Sequence, residues 1–288
     1  MTDLVCGIKA FDMHELLCHF VARDLGHYDD EGLHVSLLDT TFIRDDELPA
    51  RHYFQVACGA AFMSRREGRP FKVVLVATER PLFWLHASPD VEQISDLAGA
   101  RVATYPPVAP PYWFNRLVLR AHGLDPDRDL SFEPVRDDAA RLGLLVAGEV
   151  RAAAVSSAVA PAAVRRRGLR TLALFADDVA FATTGIATTD AVLEDDAAAI
   201  AAVARAFRRS LDAIHDEPDR VVPIVARLLD EDETVARATL DLATPCFTRD
   251  GTAPHDRLQA ALDALDDELP GDVPVDARDL YDFSLQAA

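Results

Sequence analysis

Short apolar runs alternate with helix-patterned stretches along this chain, and near residue 85 the alternation starts again. Leu4–Ile8 reads as a buried strand. Leu16, Leu17, Phe20, Val21 and Leu25 then fall at helical spacing, and Gly26 supplies a stop. Further strands are expected at 32–38, 54–58 and 72–77, with a short polar helix or turn at 45–52 and a helical stretch after Gly59. Strands alternating with helices predict an α/β protein with mainly parallel sheets and helices on both faces.

The second round opens with Asp96-Leu97-Ala98-Gly99 and a strand at 101–105. A proline-rich loop (Pro106, Pro107, Pro110, Pro111) leads into a helix from Tyr112 to His122. Strands at 130–135, 152–156 and 171–175 are joined by helices at 138–146 and up to Arg167. Thr184–Thr188 reads as a strand returning to the first lobe. Beyond it, Ile200, Val203, Phe207, Leu211 and Ile214 mark the apolar face of a helix. Pro218 suits a helix start, Pro223 should bend that helix or move its start, and Leu258, Leu262 and Leu265 suggest one more helix. The expected organisation is a discontinuous lobe of residues 1–86 and 181–288 with a second lobe, 87–180, inserted into it. A small molecule is expected in the cleft between them.

The net charge is −19 and the pI near 4.7. Such a surface repels nucleic acid and anionic membranes, so neither is an expected partner. Cys6, Cys18, Cys58 and Cys246 form no C-x-x-C pair and have no histidines at zinc spacing, so no metal site is expected. Scattered cysteines suit a reducing compartment. No basic segment followed by an apolar run opens the chain. A cytoplasmic location is therefore expected for the sequence as it stands, and a periplasmic or extracellular one if a leader has been removed. No run reaches the roughly 18 apolar residues of a membrane span. Dinucleotide, Walker, nucleophile-elbow and zinc-helix motifs are absent, so no cofactor is expected.

Several segments together resemble the substrate-binding proteins of the sulfonate/nitrate/taurine type, a group that also holds thiamine-pyrimidine synthase relatives. Ala22–Val35 (ARDLGHYDDEGLHV) looks like that family's opening, with its glycine-aromatic and G-L-x-V elements. Asp96-Leu97-Ala98-Gly99-Ala100-Arg101-Val102 resembles D-L-x-G-K-x-I, Gly123-Leu124-Asp125-Pro126 resembles G-L-D-P, and 145–153 resembles L-x-x-G-x-V-D-A. The resemblance spans about residues 4 to 240. It implies a two-lobed type 2 periplasmic-binding-protein-like fold, a small and anionic organic ligand, and an ABC permease as partner. The chain departs from the pattern between Thr40 and Tyr53, where a proline breaks a short segment. The cysteine-rich iron motif of the thiamine-pyrimidine synthases is absent. Enzymes with this fold exist, so a cytoplasmic lyase, decarboxylase or hydrolase acting on an aromatic or carboxylated metabolite is the alternative.

In α/β folds ligands meet strand C-termini and helix N-termini, where free N–H groups favour an anion. Asp12, Met13 and His14 occupy the first such turn. Asp12 suits an N-cap, while His14 can bind a carboxylate or act as acid and base. Cys58 and Gly59 occupy the second; Cys58 is either a helix-activated nucleophile or a small buried side chain. Thr78 and Arg80 follow the next strand, Arg80 either clamping an anion or pairing with Glu79. Tyr105, Tyr112 and Trp113 surround the prolines, either stacking on a flat ligand or packing the lobe edge. Ser156 and Ser157 offer hydroxyls or a cap, and Thr184 lies at the second crossing between lobes.

Overall fold

The computed structural model describes residues 1–271 and 273–287. The strands are β1 (Thr2–Ile8), β2 (Leu33–Asp39), β3 (Tyr53–Ala57), β4 (Phe71–Thr78), β5 (Phe83–Ala87), β6 (Arg101–Thr104), β7 (Ser131–Pro134), β8 (Ala152–Ser156), β9 (Arg170–Leu174) and β10 (Thr184–Thr189). They form two five-stranded sheets, ordered β2-β1-β3-β10-β4 and β7-β6-β8-β5-β9. In each sheet four strands share one direction and the fifth opposes them: β10 in the first and β5 in the second. Each opposing strand is the first one laid down after the chain passes from one unit to the other. The sheets are therefore mainly parallel, with a regular exception.

The helices are α1 (Met13–Asp24), α2 (His27–Asp30), α3 (Cys58–Arg66), α4 (Pro110–Ala121), α5 (Asp138–Val146), α6 (Pro161–Arg166), α7 (Asp190–Asp216), α8 (Pro218–Leu229), α9 (Glu233–Ala243), α10 (His255–Asp266) and α11 (Ala277–Leu280). Residues 45–47 form a 3₁₀ turn. None of the described helices is long and apolar enough to cross a membrane.

The chain forms two compact units. One contains Met1–Glu79, Phe181–Asp263 and the C-terminal segment. The other contains Arg80–Ala180 and Ala264–Gly271. The passage into the second unit thus falls after Glu79, not after residue 86. The apolar run Phe83–Ala87, to which the sequence pattern assigned no element, is strand β5, paired to both β8 and β9. The eight residues 264–271 carry no apolar pattern that would assign them to the second unit. They are held there by Glu268, which accepts hydrogen bonds from Arg116 Nε (2.7 Å) and Arg120 Nε on α4. Arg116 is also bidentate to Asp127, at 2.7 and 2.8 Å.

The apolar face of α7 packs as its spacing predicts. Ile200, Val203, Phe207, Leu211 and Ile214 are all buried, and Phe207 meets Phe54 of β3 edge-on at 6.1 Å. Burying side chains of this size stabilises by about 1.5–3 kcal/mol each. The second unit's core includes Leu142, Leu145, Val155 and Val164 around Ala103 and Ala153. Small side chains on β10 also have a geometric reason. A Cβ on Gly185 would collide with the Leu75 carbonyl, at a register shift where β10 inserts between β3 and β4.

Pro223 lies inside α8, which starts at Pro218 and runs through it. The helical irregularity falls instead in α7, at Asp196 (φ −125°, ψ 20°). That carboxylate is buried and accepts the His52 backbone N–H at 2.6 Å, with His52 Nδ1 3.4 Å from its other oxygen. His52 adopts φ 53°, in the left-handed region that side chains rarely enter. One carboxylate therefore holds both the strained residue before β3 and the bend in α7. Replacing it (Asp196→Ala) leaves a strained backbone with an unpaired N–H and should destabilise the protein by about 1–3 kcal/mol in urea unfolding. A loss below about 0.5 kcal/mol would show that the clamp carries no stability.

Candidate functional site

In the first unit the C-terminal ends of β1, β3 and β4 lie on one edge of the sheet, beside the start of β10. Asp12 caps α1, its Oδ1 accepting the Glu15 N–H at 2.8 Å. Met13 is fully enclosed, as its place in the first turn of α1 requires. His14 is buried, and its Nε2 lies 2.7 Å from Thr183 Oγ1 and 3.1 Å from Thr78 Oγ1. Thr78 Oγ1 is also 2.7 Å from both Thr183 Oγ1 and Thr184 Oγ1, and accepts the Thr184 N–H at 3.2 Å. Backbone bonds tie the same strands together, Thr183 N–H to Thr78 O at 3.0 Å and Phe181 N–H to Glu79 O at 2.9 Å. His14, Thr78 and Thr184, separated by up to 170 positions in sequence, thus meet in one cluster, with Thr183 joining them.

Burial lowers the His14 pKa to about 3, so its imidazole is neutral. It acts as a neutral hydrogen-bonding group at physiological pH, and no general-acid cycling is favoured there. Next to it, the Glu15 carboxylate accepts the N–H groups of Lys9 and Ala10 at 2.8 and 3.1 Å and so braces the turn after β1. Burial and the neighbouring Asp12 carboxylate push its pKa up to about 8.

Cys58 opens α3, but its side chain is fully buried and its Sγ–H points to the Leu75 carbonyl at 4.0 Å. Burial, and then the charge of Glu15, push the thiol pKa up. This setting opposes a thiolate, and the helix N-terminus does not overcome it. The Gly59 N–H, expected to face a ligand, donates to Thr183 O at 3.3 Å instead. All four cysteines are free and buried.

The second unit builds its polar wall where β6 and β8 end and α5 begins. Ser156 donates from Oγ to Asp138 Oδ2 at 2.7 Å and from its N–H to Oδ1 at 3.0 Å. Tyr105 Oη donates to Asp138 Oδ1 at 3.1 Å. Arg141, fully buried, completes the set: it donates to Asp138, to the Ala154 carbonyl at 2.6 Å and to the Arg136 carbonyl at 2.8 Å. Its guanidinium also stacks 3.6 Å from the Tyr105 ring centroid. Ser157 is enclosed beside Ser156. Neither serine caps α6, whose N-cap is Ala160. On α4, Asn115 donates to Thr104 Oγ1 at 3.2 Å, and its buried Oδ1 has no partner.

Tyr112 and Trp113 belong to a different cluster from the Tyr105 ring. They pack on each other at 4.8 Å, Tyr112 meets Phe132 at 5.5 Å, and Trp113 Nε1 donates to the Pro107 carbonyl at 2.8 Å. They brace the proline loop against the unit's own edge. Arg80, the first residue of the second unit, is half-buried and carries no ion pair among the described residues; the alternative partner, Glu79, pairs with Arg257 at 3.2 Å. The charge is unevenly shared: the first unit has 17 basic against 33 acidic residues, the second 12 against 15. Among the described residues no group of three His, Cys, Asp or Glu side chains could hold a metal ion.

Asp138 and Arg141 are absent from the residues that sequence reasoning singles out. A signal existed: Asp137-Asp138 is an N-cap pair, and a cation three positions on faces the same side of the helix.

The family model described as NMT1/THI5 like matches residues 15–221. That is well over half of the chain, and the chain belongs to this family. No curated protein matches it. Among solved structures it is similar to the alkanesulfonate-binding protein SsuA from Xanthomonas axonopodis pv. citri bound to MOPS, with TM-score 0.77 and 12% identity over 98% of this chain and 99% of that one. A desulfurization enzyme, DszB, is similar at TM-score 0.75 and 16% identity, covering 100% and 98%. A Candida albicans protein with the generic periplasmic binding protein fold is similar at TM-score 0.72 and 13% identity, covering 97% and 95%. At these identities the likeness is one of fold, and the fold is that of the periplasmic binding proteins.

The neutral His14 makes a pH prediction. A base whose folded pKa lies below its unfolded value binds fewer protons when folded, so stability falls as pH drops from about 6.5 towards 3. Glu15, with its raised pKa, acts in the opposite sense between about 8 and 4.5. The two are separated by substitution: between pH 7 and pH 5 the His14→Gln variant should lose about 2 kcal/mol less stability than the wild type in urea unfolding. Equal losses would mean that His14 is not held neutral. In the second unit, Asp138→Ala strands the buried Arg141 guanidinium and should cost about 3–5 kcal/mol, read as a large fall in the urea midpoint. A fall under about 1 kcal/mol would show that the Arg141 carbonyl partners suffice without the carboxylate.

Proposed function

We propose that this member of the NMT1/THI5-like family is a solute-binding protein that captures a small anionic organic molecule and delivers it to a membrane permease of the ABC type. The observation that carries this reading is the gathering of His14, Thr78, Thr183 and Thr184 at one strand edge, all neutral hydrogen-bonding groups. Hydroxyls, an uncharged imidazole and backbone N–H groups hold an anion through directed hydrogen bonds. Arg80, in the second unit, is half-buried and carries no ion pair among the described residues, which leaves its guanidinium able to pair with an anion. The fold supports the same reading, since SsuA, a structure of similar fold, is an alkanesulfonate-binding protein.

Capture needs no nucleophile, and the burial of the Cys58 thiol, with its raised pKa, favours capture over covalent chemistry.

Native mass spectrometry of the freshly purified protein, with thermal melting in the presence of added organic anions, tests the reading. The expected result is a retained small anion, or a Tm raised by a sulfonate or carboxylate and not by a neutral analogue. In Arg80→Ala the Tm rise should largely vanish while the ligand-free Tm stays within about 2 °C. No retained molecule and no anion-dependent shift in the wild type would refute it.

A further inference from the structure

We propose that the first unit carries a second small-molecule site, separate from the strand-edge cluster, which takes a zwitterion with an apolar body: an α-amino acid with a ring or branched side chain. The site is the cavity between the loop 247–254, the start of α10 and Phe283. It measures about 620 Å³, inside the range of roughly 300–1,000 Å³ typical of small-molecule sites. None of His14, Thr78, Thr183 and Thr184 lines it, so it goes beyond the proposed anion capture and does not depend on it.

The walls of this cavity are fixed before any ligand arrives. Backbone bonds fasten the loop to β4: Thr248 N–H donates to Ala77 O at 2.8 Å, Val76 N–H to Gly251 O at 2.8 Å and Glu79 N–H to Cys246 O at 3.1 Å. Thr248 Oγ1 donates to Val76 O at 2.6 Å and accepts the Gly251 N–H at 3.2 Å. Phe247 and Ala253 are buried and supply an apolar floor. Phe283, half-buried, is braced by the rings of His255 at 5.8 Å and Tyr281 at 6.4 Å. Walls already ordered in this way lose little entropy on binding.

Charge on the rim decides the ligand class. Glu79 and Asp250 bring two carboxylates to the cavity, and Arg249 and Arg257 bring two guanidiniums. A simple anion or a simple cation therefore meets as many like charges as opposite ones, whereas a zwitterion answers both signs. The pairs already present leave room for it. Arg257 Nη2 lies 3.2 Å from Glu79 Oε2, and Arg249 Nη1 lies 2.8 Å from Asp216 Oδ1. A guanidinium has several N–H donors and a carboxylate several acceptor sites, so one contact does not exhaust either. The two arginine side chains are 62% and 69% exposed, and ion pairs so exposed hold weakly against a competing ligand. The ligand's carboxylate belongs on Arg257, its ammonium on Glu79, and its side chain against Phe247 and Phe283.

The test is calorimetric titration of the full chain with L-phenylalanine and L-leucine, and with analogues that each lack one feature: phenethylamine without the carboxylate, hydrocinnamate without the ammonium and glycine without the apolar body. At least one of the two amino acids should bind about tenfold or more tighter than every analogue. Arg257→Gln should remove the preference over phenethylamine, and Glu79→Gln the preference over hydrocinnamate. Both changes are at the rim, so the ligand-free variants should keep the wild-type Tm, which thermal melting checks. Binding of an alkanesulfonate, where the wild type shows it, should be the same in Arg257→Gln. The proposal is overturned if neither amino acid binds, if a singly charged analogue binds as tightly, or if both preferences survive in the two variants, since the ligand then sits elsewhere. Loss of sulfonate binding in Arg257→Gln also overturns it, because the two regions would then be one site. A wild type that takes the amino acid and no sulfonate bears out this site while the anion reading fails.

Discussion

The hydroxyl of Thr78 is the meeting point on which the polar strand edge of the first unit depends. It contacts His14, Thr183 and Thr184 at once, from the last residue of β4. One side of that junction is the chain leaving for the second unit after Glu79; the other is the chain coming back at Phe181. The returning strand β10 has to enter antiparallel between β3 and β4, and Gly185 lets it fit there because no side chain meets the Leu75 carbonyl. The sheet topology, the crossing points and the polar cluster are therefore one arrangement. A charged histidine could not sit at its centre without a carboxylate, and burial keeps this one neutral.

The second unit solves a different problem with the same geometry. Its wall includes a full charge, Arg141, enclosed among carbonyls and one carboxylate. Such a charge is tolerated only when its donors are met, and meeting them fixes Asp138, which in turn aims Tyr105 and Ser156. One unit thus presents neutral hydroxyls around an imidazole, while the other presents hydroxyls aimed by an internal ion pair. Both walls stand where parallel strands end and helices begin, which is the general location of ligand sites in α/β folds.

Strand and helix periodicity made most of this legible in the sequence, because each apolar run had a single plausible role. The run 83–87 was not legible as a strand: two prolines bracket it, and its pairing with β8 and β9 is long-range. The membership of 264–271 was hidden for the same reason, since it depends on Glu268 finding Arg116 and Arg120 about 150 residues away. Among site residues, Asp12, His14, Thr78 and Thr184 could be placed from strand ends alone. Cys58 and Gly59 stood at an equally good position in sequence, but their donors turn inward to Leu75 and Thr183. Sequence position sets where a residue stands along the edge; side-chain direction and burial are decided by packing that one chain of letters does not show.

The proposed capture of an organic anion at the strand edge of the first unit is tested most directly by a crystal structure of the protein grown with an alkanesulfonate. Density for the sulfonate head is expected within hydrogen-bonding distance of the cluster formed by His14, Thr78, Thr183 and Thr184. A sulfonate bound on another face, with that cluster unchanged and uncontacted, would contradict it.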